Sequence, residues 1–554
     1  MKRKNRILPL ALAGAMAVGC LTGCGGASSD STGGNAESGA EQGATSEAAS
    51  TEAEPVQATY PLADGDKTIT VYMRDATSGA AGDWNNIKGF QKAEEILGVD
   101  IEFIMPAVGS EADQFNLMIA SGEYPDIIMW DFNSTPMTLD QMVDSGILLD
   151  MDSYIRQYAP NYLALLETNE EYKLEGTADN GHMLAMYGFN QNLPISGGPA
   201  IRADLLEKYN LETPVTVDDW TNVMTTIKEQ DPTVEYPLTT GKNRDGSVWF
   251  DMLLPAYKTA QGFCLDDETG EVVYGPATDN FKEYLTKLNE WYNAGLIDPE
   301  FMSNDGTSMN AKLTDGRSIA GSLQLNYHIL NITSAARETN PDFTFEGATW
   351  PVLNEGDRPS FPMADGVYYS GGQAAITSAC EDPVLATQFI DFFYSEEGQL
   401  LLGWGIEGES YTVNDDGTKQ YTDTIMNNPD GKTPAQAILE FSIPMYGFCN
   451  QIREDSYVPM VTTLPEQAVA RERWLDADWG VNIPRLNVAA DVQSDYTMLM
   501  NDITTYVQEM YIQFITGQAS LDTDWESYVN GLNGMGLETA TQYMADAYAL
   551  YQQR

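Results

Sequence analysis

Histidine is nearly missing from this chain. Its 554 residues hold two, His182 and His328, far apart. No G-x-S-x-G, H-E-x-x-H or P-loop pattern occurs. Hydrolytic machinery built on histidine is therefore nearly excluded. Cysteine is also sparse. Beyond Cys20 and Cys24 there are only Cys264, Cys380 and Cys449, an odd set with no C-x-x-C pair. Neither a disulfide framework nor a thiolate metal cluster is implied, and each of the three reads as a small buried residue. Positive charge is the third shortage: 29 Lys and Arg stand against 82 Asp and Glu, a formal net charge of -53. Such a chain repels nucleic acid and anionic lipid at long range and stays soluble in a crowded envelope. Beyond the first two dozen residues, no run approaches the ~18 apolar residues that span a bilayer.

What is there begins at the N-terminus. Lys2, Arg3, Lys4 and Arg6 precede an apolar run from Ile7 to Val18, and Leu21-Thr22-Gly23-Cys24 follows. Basic start, apolar run and small residues are the parts of an export signal. A cysteine directly after the small residues makes it resemble a bacterial lipobox. The Cys24 thiol would take a diacylglyceryl group, and cleavage before it would leave a lipidated N-terminus. Ala17-Val18-Gly19-Cys20 is a weaker second candidate. Residues 25–59 contain no Lys, Arg or aromatic residue and are rich in Gly, Ser, Ala, Thr and Glu. Such a segment cannot bury enough apolar surface to offset its ordering entropy. It reads as a tether, with a mean reach of roughly 30 Å as a flexible coil. The expected location is the outer face of the cytoplasmic membrane, with membrane contact through the lipid only.

From Thr68 onward the pattern is α/β. Thr68 to Met73 alternates like a strand, and a Gly- and Asp-rich loop follows. A helical stretch ends at Gly98, and Val99 to Ile104 reads as a second strand. Phe115 to Ala120 has helical spacing, and Tyr124 to Trp130 is a strand entered through a Pro turn. Strand, helix, strand, helix, strand at this spacing predicts a parallel sheet, with ligands at the carboxyl ends of its strands. Those ends are the Arg74–Trp84 loop and Trp130-Asp131-Phe132. Thr216 can cap a helix running through Trp220 and Ile227. Phe281 to Asn293 is amphipathic, Ser318 to Leu323 is a weaker strand, and the region from Asp495 on is mostly helical.

Several segments, in this order, resemble the extracellular solute-binding proteins (family 1) of ABC importers, in the long Gram-positive lipoprotein branch of carbohydrate type. They include Ile119-Ala120-Ser121-Gly122-Glu123-Tyr124-Pro125-Asp126-Ile127-Ile128 and Gly146 to Met151. Further along come Ile201 to Leu206, Trp291 to Phe301, Phe392 to Gly398, Gly403 to Gly408 and Phe514 to Gly517. The resemblance implies a two-lobed, periplasmic-binding-protein-like type II fold, with a ligand cleft between lobes joined by hinge segments. The expected division is 1–23 leader and 24–59 lipidated Cys and tether. Residues 60–190 with about 322–400 form the first lobe, and about 191–321 with about 401–554 the second. Some relatives carry an oxygen-rich calcium loop where this chain reads Gln230 to Leu238. Asp231 and Glu235 alone cannot supply the roughly six to eight oxygens calcium takes, so no metal is expected there. Asn414-Asp415-Asp416-Gly417 reads as a hairpin turn.

A neutral sugar offers flat C–H faces that stack on aromatic rings, and hydroxyls that suit carboxylates and amides. The candidate contacts are Asp83, Trp84, Trp130, Asp131, Trp249 and Trp474, several of them Trp in loops beside polar neighbours. Asn326, Tyr327 and Asp365 complete the set. Core packing is the more common role of each Trp taken alone, and His328 reads as a partner for a backbone group. The expected function is capture of an oligosaccharide by hinge closure and its delivery to an ABC permease, by a monomer with no cofactor and no catalysis. The same fold binding a peptide or another small solute, perhaps for sensing, is the alternative. A surface glycoside hydrolase using two carboxylates about 5–10 Å apart is the remote one.

Overall fold

The structure is a computed structural model. It describes residues 55–553 except 136, 179–180, 192–194, 244–245, 362–368 and 446–447. Cys24, the tether up to residue 54, and Asp365 lie outside the described residues.

The alternating run at the start becomes strand Thr68–Met73. It pairs in parallel with Asp100–Ile104 on one side and Ile127–Trp130 on the other. Helices Lys88–Leu97 and Glu111–Ser121 make the crossovers. The first of these stops at Gly98, whose φ of 67° is left-handed, and a Cβ there would lie 2.0 Å from the Ala63 carbonyl oxygen. Only glycine fits both demands. The sheet is mixed rather than purely parallel. Tyr369–Ile376 inserts antiparallel between Ile127–Trp130 and Met186–Asn190, and Gln451–Ile452 extends the far edge. No local signal announces that insertion, because its partners lie far away in sequence.

A second, three-stranded antiparallel sheet has Gly197–Arg202 between Ala320–Gln324 and Phe345–Gly347. Helix Val217–Gln230 begins at Thr216 with a capping box closed by Asp219. Asp279–Asn293 buries Phe281, Tyr284, Leu285, Leu288 and Trp291 along one face. Helices Gln493–Thr516, Trp525–Gly534 and Leu537–Tyr551 end the chain. Strands Tyr411–Val413 and Lys419–Tyr421 form the hairpin around Gly417. Gly403-Trp404-Gly405-Ile406-Glu407-Gly408 has dinucleotide-loop spacing, but it ends helix Glu396–Gly403 instead of joining a strand to a helix.

Within the compact unit Ala53–Arg554 there are two large hydrophobic cores. One runs from Ile69 to Phe189 and resumes at Ala374–Leu402 and at Leu439–Cys449. The other runs from Ile195 to Phe361 and resumes from Val461 to Ala547. A small third cluster gathers around Trp404, Tyr421 and Ile438. The chain thus crosses between lobes three times: between 189 and 195, 361 and 374, and 449 and 461. This corrects the expected division. Residues 322–361 belong with the second sheet, since Ala320–Gln324 pairs with Gly197–Arg202. Leu439, Ile443, Phe448 and Cys449 return to the first core.

Candidate functional site

Burial sorts the expected contacts. Trp84 is fully buried, packs against Phe90 and Phe103, and donates its indole N–H to Asp75 Oδ1 at 3.2 Å. Trp249 packs on Tyr511 with ring centroids 4.6 Å apart, inside the second core. Trp474 is also fully buried, with its Nε1 donating to the Pro199 carbonyl at 3.0 Å. Trp130 stacks on Phe115 at 4.8 Å. All four are core residues, so none of them offers a free indole face for a ligand to stack on. The expected loop setting misled: Trp130 ends a strand and Trp474 lies in helix Pro465–Leu475, while the turn at Trp84 and the loop at Trp249 fold their rings inward. Asp83 is exposed and caps the short turn Trp84–Asn86 by accepting from Asn85 N–H at 3.0 Å. Asn326 is half-buried, accepting from Gln467 Nε2 at 3.1 Å. Tyr327 is exposed on the same turn. His328 accepts the Gln324 N–H on Nδ1 at 2.9 Å, and burial pushes its pKa down to about 4.

Asp131 is different. It follows the carboxyl end of strand Ile127–Trp130 and reaches across to the second lobe. Arg485 Nη2 donates to its Oδ1 at 3.0 Å and its Oδ2 at 3.2 Å. Both side chains are half-buried. Beside this pair opens a cavity of about 390 Å³. Phe132, Thr138, Asp140, Glu175, Leu184 and Tyr187 are among its first-lobe walls, and Arg485, Asn487, Val488 and Gln493 among its second-lobe wall. Phe132, Leu184, Tyr187 and Val488 supply apolar faces, while Thr135, Thr138, Glu175 and Asn487 supply polar groups. Gln141 Nε2 also crosses to the Ala490 carbonyl at 3.4 Å. Two other grooves, of about 740 and 900 Å³, are lined by the second lobe alone. Of these three, the first is the one bounded by both lobes, and closure would change its shape.

Two side chains matter here that the loop-Trp reading passed over. Tyr187 sits mid-strand in Met186–Asn190, anchored by its backbone, which donates to Tyr162 Oη at 3.3 Å and accepts from Tyr394 O–H at 2.7 Å. Tyr187 is half-buried and lines the cavity, with its ring stacked on Phe189 at 6.3 Å between centroids. Arg485 carried a readable signal: no other basic residue occurs between Arg473 and Arg554. Behind the wall, fully buried Gln373 accepts the Phe132 N–H on Oε1 at 2.8 Å, and its Nε2 has no partner among the described residues. At the place of the calcium loop, Asp231 accepts from Lys208 Nζ at 3.0 Å, Tyr209 O–H at 3.1 Å and Thr233 N–H at 3.1 Å. Those cationic and hydroxyl donors occupy the carboxylate. Among the described residues no helix is long and apolar enough to cross a membrane.

Known proteins share this architecture. The sequence is 24% identical over 525 residues to the fructooligosaccharide ABC transporter substrate-binding protein FusA of Streptococcus pneumoniae serotype 4, covering 89% of this chain and 92% of FusA. The structure of S. pneumoniae FusA in complex with kestose superposes with a TM-score of 0.67 at 21% identity, over 88% of this chain and all of that one. A human-milk-oligosaccharide-binding solute-binding protein from Bifidobacterium longum infantis gives 0.70 at 17% identity, over 88% and 99%. These likenesses establish the two-lobed, periplasmic-binding-protein-like fold. Residues 74–400 match the sequence profile of the bacterial extracellular solute-binding proteins. With more than half its length matched and that fold in place, this chain belongs to the bacterial extracellular solute-binding proteins, a family of binders rather than enzymes.

Proposed function

We propose that this chain is the lipid-anchored capture subunit of an ABC importer and that its ligand is an oligosaccharide. The observation that carries the reading is the inter-lobe cavity. It brings the aromatic residue Tyr187 together with hydroxyl, amide and carboxylate residues, a mixture suited to the flat apolar faces and hydrogen-bonding edges that a sugar presents. FusA, named for fructooligosaccharides and similar over 89% of this chain, supports the same ligand class. Ligand contacts made on both lobes would favour the closed state, which is what hinge closure requires. The Cys24 lipid would hold the loaded protein near its permease and raise its effective concentration there.

Calorimetric titration of the soluble form beginning at Thr59 with a glycan panel tests this. Saturable binding of an oligosaccharide is expected. Tight binding of a peptide, with no glycan binding, would overturn it.

A further inference from the structure

The charges around the inter-lobe cavity are lopsided. Among its described lining residues the acids are Asp140 and Glu175, and the sole cation is Arg485. That cation is engaged already, with Nη2 at 3.0 and 3.2 Å from the two carboxylate oxygens of Asp131. A uronate carboxylate entering a partly dry cavity needs a charged hydrogen-bond partner to offset its lost hydration. Here it meets an arginine whose charge is balanced, and two further acids of its own sign. The -53 net charge of the chain slows its approach as well. A neutral sugar bears none of these costs.

Resting on the oligosaccharide reading, we propose that this site selects neutral oligosaccharides against uronate-bearing ones, and that Asp131 enforces the choice by holding Arg485. Arg485 then serves as a neutralised donor on the second-lobe wall instead of as an anion clamp. Releasing it should invert the preference.

The experiment titrates the soluble form with neutral oligosaccharides and with oligogalacturonides of matched length. The wild type should bind a neutral member at least tenfold tighter than any oligogalacturonide. Asp131→Asn removes the balancing carboxylate from the guanidinium, and the ratio of neutral to uronate affinity should fall at least tenfold. Arg485→Gln removes the cation outright and should bind oligogalacturonides no better than the wild type does. Thermal unfolding of each variant verifies that it is folded. Oligogalacturonide binding by the wild type within threefold of the best neutral ligand overturns the selectivity and leaves the oligosaccharide reading standing. An unchanged ratio in folded Asp131→Asn overturns the role of Asp131. Binding of neither class overturns both readings together.

Discussion

Removing the Trp474 indole tests the claim that this residue is core and not a ligand contact. Trp474 lies on helix Pro465–Leu475 and is fully buried against the second sheet. Burying such a ring removes roughly 150–250 Å² from water, worth ~4–6 kcal/mol at about 25 cal/mol per Å². Alanine keeps part of that, and truncations of this kind cost about 3–5 kcal/mol. The hydrogen bond to Pro199 adds about 1 kcal/mol. It adds no more than that, because the Pro199 carbonyl retains the Ala348 N–H at 2.8 Å. Trp474→Ala should therefore destabilise the second lobe by about 4–6 kcal/mol. Trp474→Phe should cost about 1–2 kcal/mol. Gly198 supplies a cross-check. A Cβ there would sit 2.7 Å from the indole, so Gly198→Ala should cost about 1–3 kcal/mol by overpacking. That cost should vanish once Trp474 is alanine, giving a coupling of similar size. Urea unfolding followed by circular dichroism measures the wild type and all four variants, with ligand titration on those that stay folded. A loss below about 1 kcal/mol for Trp474→Ala, together with a collapse in ligand affinity, would refute the core assignment.

The two lobes should respond oppositely to acid. In the second lobe, His328 is held below its ordinary value, at about 4, by burial. The unfolded chain then binds more protons between pH 4 and 6.5, so this contribution is intact above 6.5 and is lost as pH falls toward 4, up to about 3 kcal/mol. In the first lobe, burial raises Asp391 to about 6, although it accepts from Tyr162 N–H at 2.8 Å and Asn161 Nδ2 at 2.7 Å. There the folded state keeps its proton longer, so stability falls as pH rises from about 4 to 6. His328→Gln and Asp391→Asn should each flatten the corresponding slope in urea unfolding measured across pH. Cys24→Ser, in turn, should spare ligand affinity and impair uptake in cells. Unchanged uptake with the protein free in the medium would count against the anchor.

Much of the local structure was legible because it depends on neighbours in sequence. Gly98 and Gly122 ended helices where left-handed backbone was needed, and Thr216 capped its helix as expected, with Asp219 closing the capping box. The first three strands followed from alternation and a Pro turn. By themselves the residues also determined the chemistry this chain lacks, its acidity, and the lipobox pattern. Tertiary structure alone decided three things. It placed Tyr369–Ile376 antiparallel within a sheet that reads locally as parallel, because strand pairing joins residues far apart in the chain. It assigned residues 322–361 to the second lobe, since a short strand carries no mark of which sheet it will complete. It also turned Trp84, Trp249 and Trp474 into core while bringing Asp131 within 3.0 Å of Arg485, 354 positions away. A loop can fold a ring in or out at equal sequence cost. Which way it goes is settled by the apolar surface waiting on the neighbouring element, and that surface exists only once the chain has folded.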